Sequence, residues 1–278
     1  MVRRTAIGLL MAAHALVGQA RLGHALGGQA WAAQAGTGQA RVEQAGVEQA
    51  GAAGTCPAIP PRNPMPAEAV ATPNPLPMWQ TEVEAIAKRL PQMGRETKRM
   101  VFLGDSITAS WDPVVFSQAF GTRAPLLLGV GGDTTQGLLA RLPGEWGPLR
   151  PRLAVLLIGT NNTKWGLGAP ADVALGIAEV VRAIHARSSG TRVLVLGVLP
   201  TGADPGDPLR AVNAKVNALV ARCADGDTTF YLDAGPALLD RTGHLAANVS
   251  FDMLHLTPYG YTLLAAALEP DVRRIMGE

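Results

Sequence analysis

Short apolar segments alternate with helical patterns through most of the chain after residue 78. Trp79, Val83, Ile86 and Leu90 share one face of a first predicted helix, which Pro91 ends. The apolar segments occupy residues 100–103, 126–130, 153–158, 193–199 and 230–232, and helical spacing occupies residues 134–142, 171–187, 209–223 and 258–276. Continuous apolar strands between helices indicate a parallel sheet covered on both faces. The pattern therefore predicts a three-layer α/β/α fold with a five-stranded, mostly parallel sheet.

The first 77 residues show a different pattern. An alanine recurs every five residues from Ala15 to Ala50, usually after glutamine, and residues 57–77 hold eight prolines. A five-residue period fits neither a helix nor a strand, so these alanines cannot form one buried face; a drifting alanine-rich helix is the less favoured alternative. We predict that residues 21–77 are a disordered low-complexity repeat and proline-rich linker that contributes nothing to the core, and that the folded domain spans residues 78–278.

Residues 1–20 resemble a secretory signal peptide. Arg3 and Arg4 precede an apolar run over residues 6–17, and Gly18 and Ala20 are small residues at the positions that a signal peptidase reads. The pattern predicts a secreted or periplasmic protein, or a cytoplasmic one if the leader is not a true signal. The run is too short for a membrane-spanning helix, so we predict no integral membrane segment.

Composition limits the remaining possibilities. A chain of 278 residues that is 47% hydrophobic can form one large core, and its formal charge of +2 arises within the first 54 residues. The rest of the chain is balanced in charge, so nucleic acid is not an expected partner. Cys56 and Cys223 lie far apart in sequence, and we expect no disulfide between them.

The segment 101–111 carries the first candidate for chemistry. Its apolar run breaks at Gly104-Asp105-Ser106, which places Ser106 at a turn from a strand into a helix. A hydroxyl there faces unpaired backbone N–H groups and the positive end of the helix dipole. The plain alternative is that Ser106 only caps the helix. Asp105 is interpreted as structural support for the turn.

Polar residues also follow the next two strands and precede the last helix. Gly132 lies in the glycine-rich turn 129–135, which lacks a dinucleotide fingerprint, and Asn161 follows the third strand; either turn could serve only to cap a helix. Asp252 and His255 are three residues apart, so a carboxylate and an imidazole can meet there. A metal site is not predicted at this pair, because no third ligand lies nearby in sequence.

These motifs together resemble the SGNH (GDSL-type) hydrolase family. Ser106, Gly132, Asn161 and His255 stand in the order of the family's four signature residues, and Asp252 precedes the histidine by three. Within the family, the resemblance is to the branch of platelet-activating-factor acetylhydrolase catalytic subunits. It rests on G-V-G-G-D-T-T at 129–135, G-T-N-N at 159–162, L-G-V-L-P at 196–200, P-L-R at 208–210 and N-A-K-V-N at 213–217.

The resemblance implies a flavodoxin-like fold and a serine esterase that needs no metal or cofactor. Ser106 would be the nucleophile, His255 the general base and then acid, and Asp252 the residue that orients it. The oxyanion would be held by the backbone N–H groups of Ser106 and Gly132 and by the Asn161 side chain. Ile107 and Leu254 are candidates for the wall of the acyl pocket, although both could simply belong to the core.

Three functions follow as hypotheses. The first is hydrolysis of short-chain, acetyl-type esters, including O-deacetylation of a carbohydrate. The second is a lysophospholipase or thioesterase that acts on longer acyl chains, and the third is a non-catalytic binding module of the same fold. The expected substrate is a small-molecule or polysaccharide ester. A second copy of the chain is a further expected partner, in a homodimer.

Overall fold

The computed structural model describes residues 56–94 and 98–278. The predicted signal peptide at residues 1–20 and the alanine repeat up to residue 50 lie outside the described residues. Within residues 56–94 and 98–278, no helix is long and apolar enough to cross a bilayer.

A five-stranded parallel sheet forms the centre of the domain. Its strands are β1 (Met100–Gly104), β2 (Pro125–Gly129), β3 (Leu153–Leu157), β4 (Arg192–Leu196) and β5 (Thr229–Leu232). The strands pair in the order β2-β1-β3-β4-β5, and every neighbouring pair is parallel. The predicted α/β class and parallel sheet are confirmed, and the apolar runs that continue past β3 and β4 become loops at the carboxyl edge of the sheet.

Helices cover both faces of the sheet. They are α1 (Pro77–Arg89), α2 (Ser106–Ala109), α3 (Pro113–Phe120), α4 (Thr135–Trp146), α5 (Thr160–Lys164), α6 (Pro170–Arg187), α7 (Pro208–Val220) and α8 (Pro258–Met276). Short 3₁₀ helices occupy Ala67–Ala69, Leu90–Gln92, Gly121–Arg123, Ala221–Cys223 and Gly235–Leu238. The short helices α2, α3 and α5 have no periodic signal in the sequence, since one or two turns present too few apolar positions to show a period.

Alternate residues of each strand face two separate hydrophobic clusters. Val101 and Leu103 of β1 pack in one cluster with side chains of α1, α4, α6 and α7. Met100 and Phe102 pack in the other with side chains of α3 and α8. Because both faces are buried, the strand is apolar at every position, which is why its sequence reads as a continuous apolar run.

The prediction of a disordered linker is wrong for residues 56–77. The side chain of Glu68 is buried, and its backbone carbonyl accepts a hydrogen bond from Thr135 Oγ1 at 2.7 Å. The backbone N–H of Thr72 donates to Gln136 O at 3.1 Å. Prolines disfavour long regular elements, but a segment without them can still form hydrogen bonds from its backbone and side chains to a folded surface. The packed part of the chain therefore includes Cys56, and does not begin at residue 78.

The expectation of two unpaired cysteines is also wrong. Cys56 and Cys223 form a disulfide, with their Cα atoms 4.2 Å apart and 167 residues between them in sequence. Both cysteines are buried beside Ala178 of α6. Their separation in sequence does not oppose pairing, because the packed segment places Cys56 next to the 3₁₀ turn after α7.

Candidate active site

Ser106 is the first residue of α2, directly after β1. Asp105 caps this helix: its Oδ1 accepts a hydrogen bond from the backbone N–H of Ile107 at 2.9 Å, which confirms its predicted structural role. Burial raises the pKa of Asp105 to about 7. A Cβ atom at Gly104 would lie 2.2 Å from Leu157 O, so only glycine fits where β1 turns into α2.

The structure brings Ser106, His255 and Asp252 together. Ser106 Oγ lies 2.9 Å from His255 Nε2, and His255 Nδ1 lies 2.6 Å from Asp252 Oδ2. A carboxylate at Nδ1 favours the tautomer with the proton on that nitrogen, which leaves Nε2 free to accept the Ser106 proton. Burial alone would raise the pKa of Asp252, but the hydrogen bonds from the His255 ring and backbone lower it below its usual value.

The loop before α8 holds the Asp252–His255 pair by its backbone. Ser250 Oγ donates to His255 O at 2.7 Å, and the backbone N–H of His255 donates to Asp252 Oδ1 at 2.6 Å. Met253 has a φ of 61°, and its carbonyl accepts a hydrogen bond from Gly202 N at 2.9 Å. Ser250 was not identified from the sequence, because a lone serine in a loop carries no distinguishing pattern.

Gly132 lies in the loop between β2 and α4. Its φ of 70° falls in the left-handed region, which favours glycine. The neighbouring Val130 N donates to Gly104 O at 3.1 Å, which joins this loop to the turn that carries Ser106. Among the described residues, the backbone N–H of Gly132 and that of Ser106 donate to no protein acceptor. Both donors are thus available to a ligand.

Asn161 and Asn162 on α5 have different tasks. Asn161 Nδ2 donates to Asp133 O at 2.8 Å, which uses one of its two N–H groups and places the amide beside the Gly132 loop. Asn162 Oδ1 accepts from the backbone N–H of Thr135 at 3.0 Å, at the start of α4. Asn162 therefore caps a helix, as the alternative interpretation held for this turn. Asn161 keeps its second side-chain N–H group for a ligand.

Asp133 anchors the loop from below through a buried network that was not identified from the sequence. Its two carboxylate oxygens accept hydrogen bonds from Trp79 Nε1 and Arg141 Nε, each at 2.7 Å. Arg141 Nη2 also donates to Gly104 O and Leu128 O at 3.0 Å. One guanidinium thus ties together the carboxyl ends of β1 and β2 and the loop that follows β2.

The two predicted pocket residues are largely buried. Ile107 is 1% exposed and packs in the core, where Tyr261 Oη donates to its carbonyl at 2.7 Å. Ile107 thus faces the core instead of an open pocket, which corrects its prediction as a pocket wall. Leu254 belongs to the same cluster but retains 8% exposure. Of the two residues, Leu254 alone stays a candidate for the wall of the acyl pocket.

Exposed apolar side chains flank the site instead. A Cβ atom placed on Gly132 would lie 2.9 Å from Leu76 Cδ1 and 3.5 Å from Trp165 Cη2, so both side chains adjoin this glycine. Phe251 is 66% exposed and stacks on the His255 ring, with centroids 6.0 Å apart. Within the described residues, no group of three side chains of the metal-binding types lies together.

Residues 102–263 match the model of the GDSL-like Lipase/Acylhydrolase family. The chain is 36% identical over 181 residues to platelet-activating factor acetylhydrolase IB subunit alpha1 of Bos taurus, which covers 64% of this chain and 76% of the relative. It is 32% identical over 182 residues to subunit alpha2 of Homo sapiens, over 64% and 78% of the two chains.

Solved structures show the same fold. A GDSL-like lipase from Bacteroides thetaiotaomicron superimposes with a TM-score of 0.57 at 23% identity, over 69% of this chain and 97% of that one. An acetylxylan esterase from Geobacillus stearothermophilus, solved as a catalytic mutant, superimposes with a TM-score of 0.51 at 15% identity, over 65% and 94%.

Proposed function

Since the chain belongs to the GDSL-like lipase/acylhydrolase family and is therefore an ester hydrolase, we propose that Ser106 is its nucleophile. The observation that carries this proposal is the unbroken contact from Ser106 Oγ to His255 Nε2 and from His255 Nδ1 to Asp252. The non-catalytic module is set aside, because the family consists of acylhydrolases and the three side chains meet at hydrogen-bonding distances.

The reaction takes two steps. Ser106 Oγ attacks the ester carbonyl as its proton passes to His255 Nε2, and the protonated imidazole then donates that proton to the departing alcohol oxygen. A water molecule next attacks the acyl-serine and gives its proton to Nε2. Collapse of this second intermediate releases the carboxylic acid and returns the proton to Ser106. Asp252 holds the imidazole in place and stabilises its charged form.

The negative charge on the carbonyl oxygen needs donors that are already in place. The backbone N–H groups of Ser106 and Gly132 and the second N–H of Asn161 fill this role in the proposal. Fixed donors are most effective where the charge develops, because they need no reorganisation during the reaction.

Replacement of Asn161 with alanine is expected to lower kcat by on the order of 10² to 10³, the usual loss for one oxyanion donor. Asn162→Ala is the matched control: it removes a buried amide that bonds Thr135, so it should lower the melting temperature with a much smaller effect on kcat. Steady-state hydrolysis of p-nitrophenyl acetate measures kcat for both variants, and a thermal melt measures their stability. Equal losses of kcat in the two variants would contradict the role of Asn161.

The proposed substrate class is a short-chain, acetyl-type ester. The names of the relatives support it, since two are acetylhydrolase subunits and one structural neighbour is an acetylxylan esterase. The carbohydrate ester remains part of the proposal, and the exposed Trp165 offers an aromatic face beside Gly132. The lysophospholipase or thioesterase is the second candidate, because Leu76 and Phe251 add apolar surface at the same site.

An acyl-chain series distinguishes the two candidates. We expect kcat/KM to fall from acetate to butyrate to octanoate, and we expect Leu254→Ala to move the optimum toward longer chains by opening space near His255. One methylene group in an apolar pocket is worth only about 1–3 kcal/mol, so strong discrimination requires steric closure. Leu268→Ala, from the same cluster on α8, controls for general loosening of the core. Faster cleavage of octanoate by the unmodified enzyme would favour the long-chain candidate.

Export of the protein also remains a proposal. The Cys56–Cys223 disulfide supports a secreted or periplasmic location, because disulfides persist in oxidising compartments. Fractionation of expressing cells, followed by a thiol titration of the recovered protein, tests it.

The homodimer is likewise proposed, and sedimentation velocity on the full chain tests it.

A further inference from the structure

The loop from Val130 to Asp133 is held at nearly every polar group of its backbone. Gly131 N donates to Glu82 Oε2 at 2.5 Å, and Asp133 N donates to Val130 O at 3.2 Å. Asp133 O accepts from Asn161 Nδ2 at 2.8 Å. The carbonyl of Gly132 also accepts a hydrogen bond, and its donor lies outside the loop.

That contact comes from the proline-rich segment before the predicted domain. Asn74 Nδ2 donates to Gly132 O at 2.8 Å, and the Asn74 side chain lies in the packed segment with only 5% of the residue exposed. The N–H of Gly132 remains without a protein acceptor among the described residues. We propose that Asn74 is a positioning residue, which holds Gly132 so that its N–H points at the developing oxyanion. This inference rests on the proposed role of Gly132.

The Asn74 amide can be oriented in only one way. Its Oδ1 accepts a hydrogen bond from the backbone N–H of Leu76 at 3.1 Å, so the oxygen must face that donor and the NH₂ group must face the Gly132 carbonyl. The segment is itself fixed, since Thr72 N donates to Gln136 O at the start of α4. The donor reaches Gly132 from a rigid support.

Loss of the Asn74 bond should act on the transition state. Glycine at a φ of 70° has few steric limits, and without the Asn74 bond the 132–133 peptide group keeps only the hydrogen bond from Asp133 N to Val130 O, so the backbone of Gly132 is held less firmly. A donor that must be reoriented during the reaction stabilises charge less than a fixed one. The ground-state ester carries no such charge, so substrate binding should change little.

Asn74→Ser and Asn74→Asp test the proposal in the full chain. Both replacements keep an oxygen that can accept from Leu76 N, and both lose the N–H that reaches Gly132 O. We expect kcat to fall about tenfold in Asn74→Ser, less than the 10² to 10³ lost with a whole oxyanion donor, with KM within about twofold. Asn74→Asp should lose at least as much, because it also places a negative charge near the oxyanion.

Thr191→Val is the control for a purely structural effect. Thr191 is buried directly before β4, at the amino ends of the strands and so away from the site. Its Oγ1 donates to Pro151 O at 2.8 Å. This variant should melt at a lower temperature yet keep its kcat. The proposal is overturned if Asn74→Ser keeps its kcat, if only the charged variant loses it, or if KM rises instead.

A failure of the proposed function gives a different result. If Ser106→Ala hydrolyses esters as fast as the unmodified enzyme, the nucleophile is wrong and the oxyanion role of Gly132 falls with it. If Ser106→Ala and Asn161→Ala are both impaired but Asn74→Ser is not, only the positioning role of Asn74 is overturned.

Discussion

Replacement of Ser106 with alanine is expected to lower kcat for ester hydrolysis by on the order of 10⁶, the loss that follows removal of the nucleophile from a serine hydrolase. The Ser106 hydroxyl bonds the His255 ring and, within residues 56–94 and 98–278, no backbone group, so the fold should persist. Hydrolysis of p-nitrophenyl acetate measures the loss, and a circular dichroism melt checks the fold. Ser110→Ala, an exposed serine at the end of α2, should retain full activity.

A double variant makes this prediction sharper. Ser106 and His255 act as one unit, because the imidazole is useful only when there is a hydroxyl to deprotonate. Ser106→Ala combined with His255→Ala should therefore lose no more activity than either single variant. If the losses multiplied, or if Ser106→Ala kept its activity, the two residues would not share one proton transfer.

Removal of residues 1–77 is expected to destabilise the domain strongly, contrary to the expectation from the sequence pattern. The deletion breaks the Cys56–Cys223 disulfide and removes the buried Glu68 and Asn74. A disulfide that closes a long loop typically contributes about 2–4 kcal/mol to the free energy of unfolding. In a domain of this size, each 1 kcal/mol corresponds to about 2–4 °C in the melting temperature.

The matched control is a deletion of residues 1–55, which keeps Cys56. The difference in melting temperature between the two deletions isolates the contribution of residues 56–77. In the full chain, the drop in melting temperature of the double variant Cys56→Ser/Cys223→Ser should give the contribution of the disulfide. A reductant should lower the melting temperature of the unmodified protein but not that of this variant. Equal melting temperatures for the two deletions would contradict packing of the segment.

The sequence alone was enough to identify the central sheet. A parallel strand covered on both faces is apolar at every position, so β1 and β3 appear as continuous runs without any tertiary information. Helices α6 and α8 are long enough to repeat their apolar face several times, which makes their period visible. Polar residues at the carboxyl ends of such strands then indicate where a site forms, because parallel strands bring those ends to one edge.

The sequence also indicated which side chains would meet. Asp252 and His255 are neighbours in the chain, so their contact is a local property of one loop. The contact of His255 with Ser106, 149 residues away, follows from the order of the strands and from the family resemblance. The chemical roles of these residues stay predictions that the variants above test.

The tertiary structure alone decided the role of residues 56–77. Proline-rich sequence has no period, and a period reports only whether a regular element buries one face. Asn74 contacts Gly132, Cys56 bonds Cys223, and Trp79 and Arg141 both donate to Asp133. A single contact of this kind depends on the positions of atoms that are distant in sequence, so no local pattern of hydrophobic and polar residues records it.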